Sequence, residues 1–260
     1  MRIAAIQMDV AFGQPKKNQL QVENKVKQAV QREGAKVVVL PELWNTGFDL
    51  ARLEEIADRG ELVPWLSQLA LRYEIFLVAG SIAEIEGSAC YNTCYVFAPD
   101  GSQLFRYRKL HLFRLMKEEQ FLSPGDQGAK SFSLGQHQAG SIICYDVRFP
   151  EMARSLALDG AALMFVPAQW PHPRLNHWRI LNQARAVENQ MFVVAVNRVG
   201  QGGKDQFFGH SMIVDPWGNI LAEGTEEEEI ITVDVDLGEV ERIRNQIPVF
   251  KDRVPSCYRL

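Results

Sequence analysis

Apolar and polar positions along the chain switch between a period of two and a period near 3.6. Residues 2–9 predict a first strand. Residues 15–33 predict a helix with Leu20, Val22, Val26, Ala29 and Val30 on one face, closed by Gly34. "KVVVLPEL" (36–43) is a β-branched apolar run and predicts a strand buried on both faces. Two short helices follow near 50–59 and 62–73, then a strand over 75–85 and a hairpin over 89–112 that turns at "PDGS". "SIICYD" (141–146) predicts a strand, and 149–159 a helix with Pro150 in its first turn and Gly160 past its end. A strand over 162–170 leads to a helix over 175–190 with Leu175, Trp178, Leu181, Ala184 and Val187 on one face. The pattern ends with a strand over 191–200, a hairpin over 210–224 through "DPWGN", and an alternating strand over 230–237. Strands interleaved with helices, with no linker and no fixed-period repeat, predict one layered α/β domain over residues 1–260. The only biased segment, "EEEE" at 226–229, reads as a solvated turn.

Composition narrows the class. The chain has 260 residues, 47% of them hydrophobic, enough for one sizeable core. A net charge of −4 with no basic block argues against nucleic acid as a partner. No apolar stretch approaches a membrane span, and "MRIAAIQMDV" reaches Asp9 too soon for a signal peptide. The expectation is a cytoplasmic enzyme-like domain with no membrane partner. Cys90, Cys94, Cys144 and Cys257 are too few for a disulfide scaffold.

Three residues at the ends of apolar runs carry candidate chemistry. Cys144 closes one run just before a helix, where ligands gather in open α/β sheets and backbone amides can stabilise a thiolate and later an oxyanion. Glu42 ends another run as a candidate general base, and Lys109 in "YRKLHLF" ends a third as a cation for developing negative charge. Each alone has a plain structural reading: an inert buried thiol, a capping glutamate, a solvated lysine. Together they are the parts of thiol-based acyl transfer, in which a base takes the thiol proton and water clears a thioester. Cys90 and Cys94 lie within a strand with no second pair, and His172 and His177 lack a third ligand. No metal is expected. His111, two residues past Lys109, reads as a support behind the site or as structural, and Asp146 as either orienting the loop after Cys144 or capping.

"LPELWNTGF", "YRKLHLF", "LSPGD", "CYDVRFPE", "RAVENQMFVVAVNRVG" and "GHSMIVDPWGNILAE" occur in this order and span essentially the whole chain. The set resembles the nitrilase superfamily of carbon–nitrogen hydrolases. The resemblance implies an αββα sandwich that pairs into αββα–αββα homodimers. It also implies a cofactor-free amidase with Glu42 as base, Lys109 as oxyanion cation and Cys144 as nucleophile. Glu118 in "MKEEQFLSPGD" maps to a second glutamate that positions Lys109 or the substrate amide, in preference to Glu119. The Tyr145 amide joins Lys109 in holding the oxyanion. "PELWNTGFDL", "CYDVRFPE" and "AQWPHPRLNHW" are similar to the ω-amidase branch, in a bacterial form associated with methionine salvage. After "VPAQW" the chain departs from the eukaryotic ω-amidases, which carry a threonine-containing loop there. The substrate implied is a small 2-oxo dicarboxylic acid monoamide such as 2-oxoglutaramate.

An arginine fork suits the free carboxylate of such a substrate. Arg148 matches the family position that faces the substrate acid. Arg174 is a second candidate, with a surface position at a helix start as its plain reading. Phe48 and Trp170 are expected as apolar walls, or equally as core. Deaminated glutathione and N-carbamoyl amines remain alternative substrates, the latter disfavoured by Arg148. A non-catalytic scaffold is expected to lose one of the three reactive residues, and a metal-dependent amidohydrolase needs a histidine cluster that is absent.

Overall fold

The computed structural model describes residues 1–258. The chain opens with β1 (Arg2–Gln7), α1 (Pro15–Gln31) and β2 (Val37–Val39), followed by α2 (Leu53–Ile56), α3 (Leu62–Tyr73) and β3 (Phe76–Val78). A meander of β4 (Ile82–Glu86), β5 (Ala89–Phe97) and β6 (Gln103–Arg108) comes next. The second half has β7 (Phe132–Leu134), β8 (His137–Ser141), α4 (Pro150–Leu158), β9 (Leu163–Ala168), α5 (Leu175–Asn189) and β10 (Phe192–Asn197). It closes with β11 (Val199–Gly202), β12 (Asp205–Phe208), β13 (Met212–Val214), β14 (Ile220–Glu223), β15 (Glu229–Asp234) and α6 (Gly238–Gln246).

Two mixed sheets result. The first runs β15-β1-β2-β3-β5-β4 with β6 also on β5, and the second runs β14-β13-β10-β9-β8-β7. At the centre of each, three strands are parallel: β1, β2 and β3 in one, β8, β9 and β10 in the other. Side-chain alternation along β1 shows how the layers stack. Ile3 and Ala5 join Val37 and Val39 in one core with Phe165, Val193 and Ala195 of the second sheet. Ala4 and Ile6 turn the other way, onto Val22, Val26 and Ala29 of α1 and Leu66 and Leu69 of α3. On the far side, Met152, Ala153 and Leu156 of α4 and Trp178 and Ala186 of α5 cover the second sheet. The order helix, sheet, sheet, helix is the αββα sandwich expected from the sequence.

Several expectations change in detail. The strand over 75–85 breaks at Ala79–Ser81, because Gly80 sits at φ +60 with an ideal Cβ position 2.0 Å from Pro41 O. Only glycine lets this turn press against the loop that carries Glu42. The strand over 141–146 ends at Ser141, and Cys144–Arg148 form a 3₁₀ turn. Leu20, expected on the buried face of α1, is 64% exposed, and Asn18 takes the place beside Val22 and Val26. Val187 of α5 is also exposed, while Asn182, Arg185 and Asn189 are buried. They bond backbone carbonyls of Trp178, Val147 and Arg185, so part of the inward face of α5 is polar and escapes a hydrophobic-stripe reading. β7, the β11–β12 hairpin and α6 were not expected from the pattern. Among the described residues no helix is long and apolar enough to cross a membrane.

Candidate active site

The C-terminal ends of the central parallel strands of both sheets meet at one place, where such folds gather ligands. Glu42 follows β2, Lys109 follows β6, Cys144 follows β8, and Gln169 follows β9. The structure brings Glu42, Lys109, Glu118 and Cys144 into one buried cluster. Lys109 Nζ donates at 2.8 Å to Glu42 Oε1 and at 2.8 Å to Glu118 Oε1. Glu42 Oε1 also accepts from Asn92 Nδ2 at 2.9 Å, and Glu42 Oε2 from the Gln169 amide at 2.8 Å. Glu118 Oε2 accepts from the Phe113 amide at 3.1 Å. The Cys144 thiol is buried within reach of the electrostatic influence of Glu42, Lys109 and Glu118. Glu119 is exposed and outside this cluster.

Buried charge is costly unless paired, and here every charge has a partner. Burial alone would lower the Lys109 pKa, but Glu118 and Glu42 more than offset that and raise it, so the ammonium is retained. Burial, opposed by Lys109 and reinforced by Glu42, pushes Glu118 up to about 7. Burial and the Glu42 and Glu118 carboxylates raise Cys144, with Lys109 opposing. The direction of this shift favours the neutral thiol, whereas the sequence reading allowed a stabilised thiolate.

The backbone at Cys144 is held in the left-handed region, at φ +46. A non-glycine residue there costs about 1–3 kcal/mol and persists only when its surroundings over-determine it. Asp146 supplies that constraint. Its fully buried carboxylate accepts from the Ile143 amide, the Tyr107 hydroxyl and the His111 amide, and bonds His111 Nδ1 at 2.8 Å. The His111 ring in turn stacks on Phe149 at 3.5 Å between centroids. Asp146 thus orients the turn that presents the thiol, and His111 is structural.

The other cysteines sit in different surroundings. Cys94 lies fully buried in the core with Ser141 Oγ at 3.5 Å, and burial pushes its thiol up to about 12. Burial and Glu84 push Cys90 up to about 11, and Cys257 is exposed. Among the described residues no group of three or more His, Cys, Asp or Glu side chains is placed to hold a metal ion.

A narrow cleft opens onto Cys144, lined also by Phe113, Met116, Tyr145, Trp170, Arg148 and Arg174. Arg148 lies over the Trp170 ring at 4.8 Å, and Arg174 over Phe113 at 5.8 Å. Among the described residues neither guanidinium pairs with a carboxylate: Arg148 meets His177 Nδ1 at 3.3 Å and Arg174 donates to His172 O at 3.3 Å. Phe48 does not line this cleft. It packs with Leu43, Leu50 and Leu122, with its ring 6.0 Å from Lys109 Nζ. Sequence reasoning missed Asn92, Gln169, Phe113 and Met116. For the first two a signal existed, a polar residue inside the apolar runs "ACYNTCYVF" and "ALMFVPAQW".

The chain is 43% identical to a 2-oxoglutaramate amidase of Bacillus subtilis over 98% of both chains. It is 38% identical to the human omega-amidase NIT2 over 87% of this chain and 86% of that one. Its fold superposes with a TM-score of 0.91, at 27% identity, on a CN-hydrolase superfamily protein of Xanthomonas campestris with an arsenic adduct in the active site, covering 100% of this chain and 98% of that one. The profile described as carbon-nitrogen hydrolase matches residues 2–245, and the chain belongs to that family of enzymes.

Proposed function

We propose that the whole chain, residues 1–260, is one catalytic domain that hydrolyses the distal amide of a small 2-oxo dicarboxylic acid monoamide. 2-Oxoglutaramate, giving 2-oxoglutarate and ammonia, is the named candidate. One observation carries the substrate class: two guanidiniums that pair with no carboxylate among the described residues flank the cleft that opens on Cys144. A free carboxylate is the ligand such a pair is built to take. The names of the relatives in Bacillus subtilis and human support the same reading. An N-carbamoyl amine fits less well, because an amine-bearing substrate would meet these two cations.

In the proposed reaction Glu42 takes the Cys144 proton as the thiolate forms the carbon–sulfur bond. Lys109 and the Tyr145 amide hold the oxyanion. Glu42 returns the proton to the departing ammonia, then takes one from water as water attacks the thioester, and hands it to the Cys144 thiolate released when the carbon–sulfur bond breaks. Glu118 keeps Lys109 in place through the 2.8 Å contact. No step calls for a cofactor.

Arg148 and Arg174 give the test of substrate class. Both arginines are half-buried; a hydrogen bond to a charged group is worth about 1.5–3 kcal/mol, and about 1.4 kcal/mol is tenfold. Arg148→Met is therefore expected to lower kcat/KM for 2-oxoglutaramate by about 10–10²-fold, with Arg174→Met as the second candidate. An uncharged amide of similar length should be cleaved at nearly the parent rate by both. Equal losses on both substrates would assign the arginines to the fold instead. No selective loss in either variant would remove the substrate class.

The dimer is part of the same proposal, supported by the αββα layers that pair in this family. Light scattering at micromolar concentration is expected to give twice the mass of one chain. A monomer under those conditions removes that part of the reading.

A further inference from the structure

We propose that Arg198 and the Gln169 side chain form a positioning relay that fixes the Glu42 main chain, and through it the carboxylate, from the second sheet; this rests on the reading of Glu42 as base. Arg198 follows β10 and is fully buried, yet it touches none of the reacting groups. Its Nη1 donates to Gln169 Oε1 at 3.1 Å. Gln169 Nε2 donates to the Glu42 carbonyl at 2.6 Å, and the Gln169 amide to Glu42 Oε2 at 2.8 Å. A glutamine amide has one accepting and one donating end, and a guanidinium only donates. Arg198 therefore dictates which end of Gln169 faces Glu42. With the amide reversed, two donors would face each other at Arg198 and two carbonyl oxygens at Glu42.

The far side of the relay is anchored more heavily than packing alone requires. Arg198 Nη2 reaches Asp9 Oδ1, Val10 O and Gln201 O, and Nε reaches Val199 O. The guanidinium stacks over Phe207 at 4.6 Å. Asp9 follows β1 in the first sheet, while Gln169 and Arg198 follow strands of the second. The relay thus ties both sheets together at the edge where Glu42 must stay within hydrogen-bond range of Cys144. A displacement of about 1 Å in such a group costs on the order of 10²-fold in rate.

Alkylation by iodoacetamide, read at Cys144 by mass spectrometry, tests the relay without reference to any amide substrate. It therefore stands or falls apart from the substrate assignment, which ammonia release measures in parallel. Arg198→Met and Gln169→Met are each expected to react to completion at Cys144, but about 10–10²-fold more slowly than the parent. The double variant should be no slower than the slower single one, because both cut the same connection. A purely structural role would instead lower the extent of reaction and leave the rate constant of the reactive fraction unchanged. Either that result, parent-like rates with complete reaction, or multiplicative losses in the double variant would overturn the relay. If Arg198→Met does not fold, Gln169→Met decides by its rate: slowed with complete reaction supports the relay, and a parent-like rate overturns it.

Discussion

Cys144→Ala is expected to release no ammonia from 2-oxoglutaramate above the uncatalysed rate. Among the described residues no other cysteine lies in the cluster with Glu42, Lys109 and Glu118, so the proposed covalent route does not survive its loss. Cys94 cannot take over, because it is sealed in the core beside Ser141, away from the cluster. Alanine keeps the Cβ and adds no new demand at φ +46, where any non-glycine residue is already strained. The hydrogen bonds that Asp146 makes to Ile143, Tyr107 and His111 remain, so the fold should be unchanged by circular dichroism. Cys90→Ala, outside the cleft, should retain near-parent turnover. Ammonia release by Cys144→Ala at the parent rate would end the assignment of the nucleophile.

The layers were legible in the sequence because parallel central strands are buried on both faces and read as near-continuous apolar runs. Val37–Val39, Leu163–Ala168 and Phe192–Asn197 are entirely buried. Glu42, Lys109 and Cys144 stood out as candidates at the ends of such runs, but their assignment as a set, and that of Glu118, came from the resemblance to the carbon–nitrogen hydrolases. What did not show was whatever a long-range contact decides. Gly80 ends a strand only because Pro41 lies against it. Asn182 and Asn189 are buried only because backbone carbonyls within α5 receive them. Phe48 looks like a cleft wall beside Glu42 in sequence, yet the loop turns its ring into a separate cluster with Leu43 and Leu50. Arg198 read as part of a motif and nothing more, since its link to Glu42 runs through a residue 29 positions earlier.

Glu42→Gln is the variant expected to separate chemistry from architecture. The parent carboxylate has two distinct ends: Oε1 receives Lys109 and Asn92, and Oε2 receives the Gln169 amide and thus also fixes the side-chain orientation. Glutamine matches the shape and can keep its oxygen towards Lys109 and Asn92. Its NH₂ then faces the Gln169 amide, two donors in opposition, which leaves a buried amide unsatisfied at a cost of about 1–3 kcal/mol. Some loss of stability is therefore expected, short of unfolding. The larger effect is on the reaction, because an amide cannot accept the Cys144 proton. Burial, the largest cause of the raised thiol, persists in the variant, while the group proposed to take its proton is gone. A positioned acid–base group is worth about 10²–10⁴-fold, and acylation should slow by that range. Lys109→Met should lose an oxyanion contact of about 10²–10³-fold, but it also leaves Glu42 and Glu118 buried around a missing cation. Its thermal stability is accordingly expected to fall further than that of Glu42→Gln. Single-turnover ammonia release alongside thermal unfolding distinguishes the two. Near-parent turnover in Glu42→Gln would remove Glu42 from the mechanism, and near-parent turnover in Lys109→Met would remove the lysine.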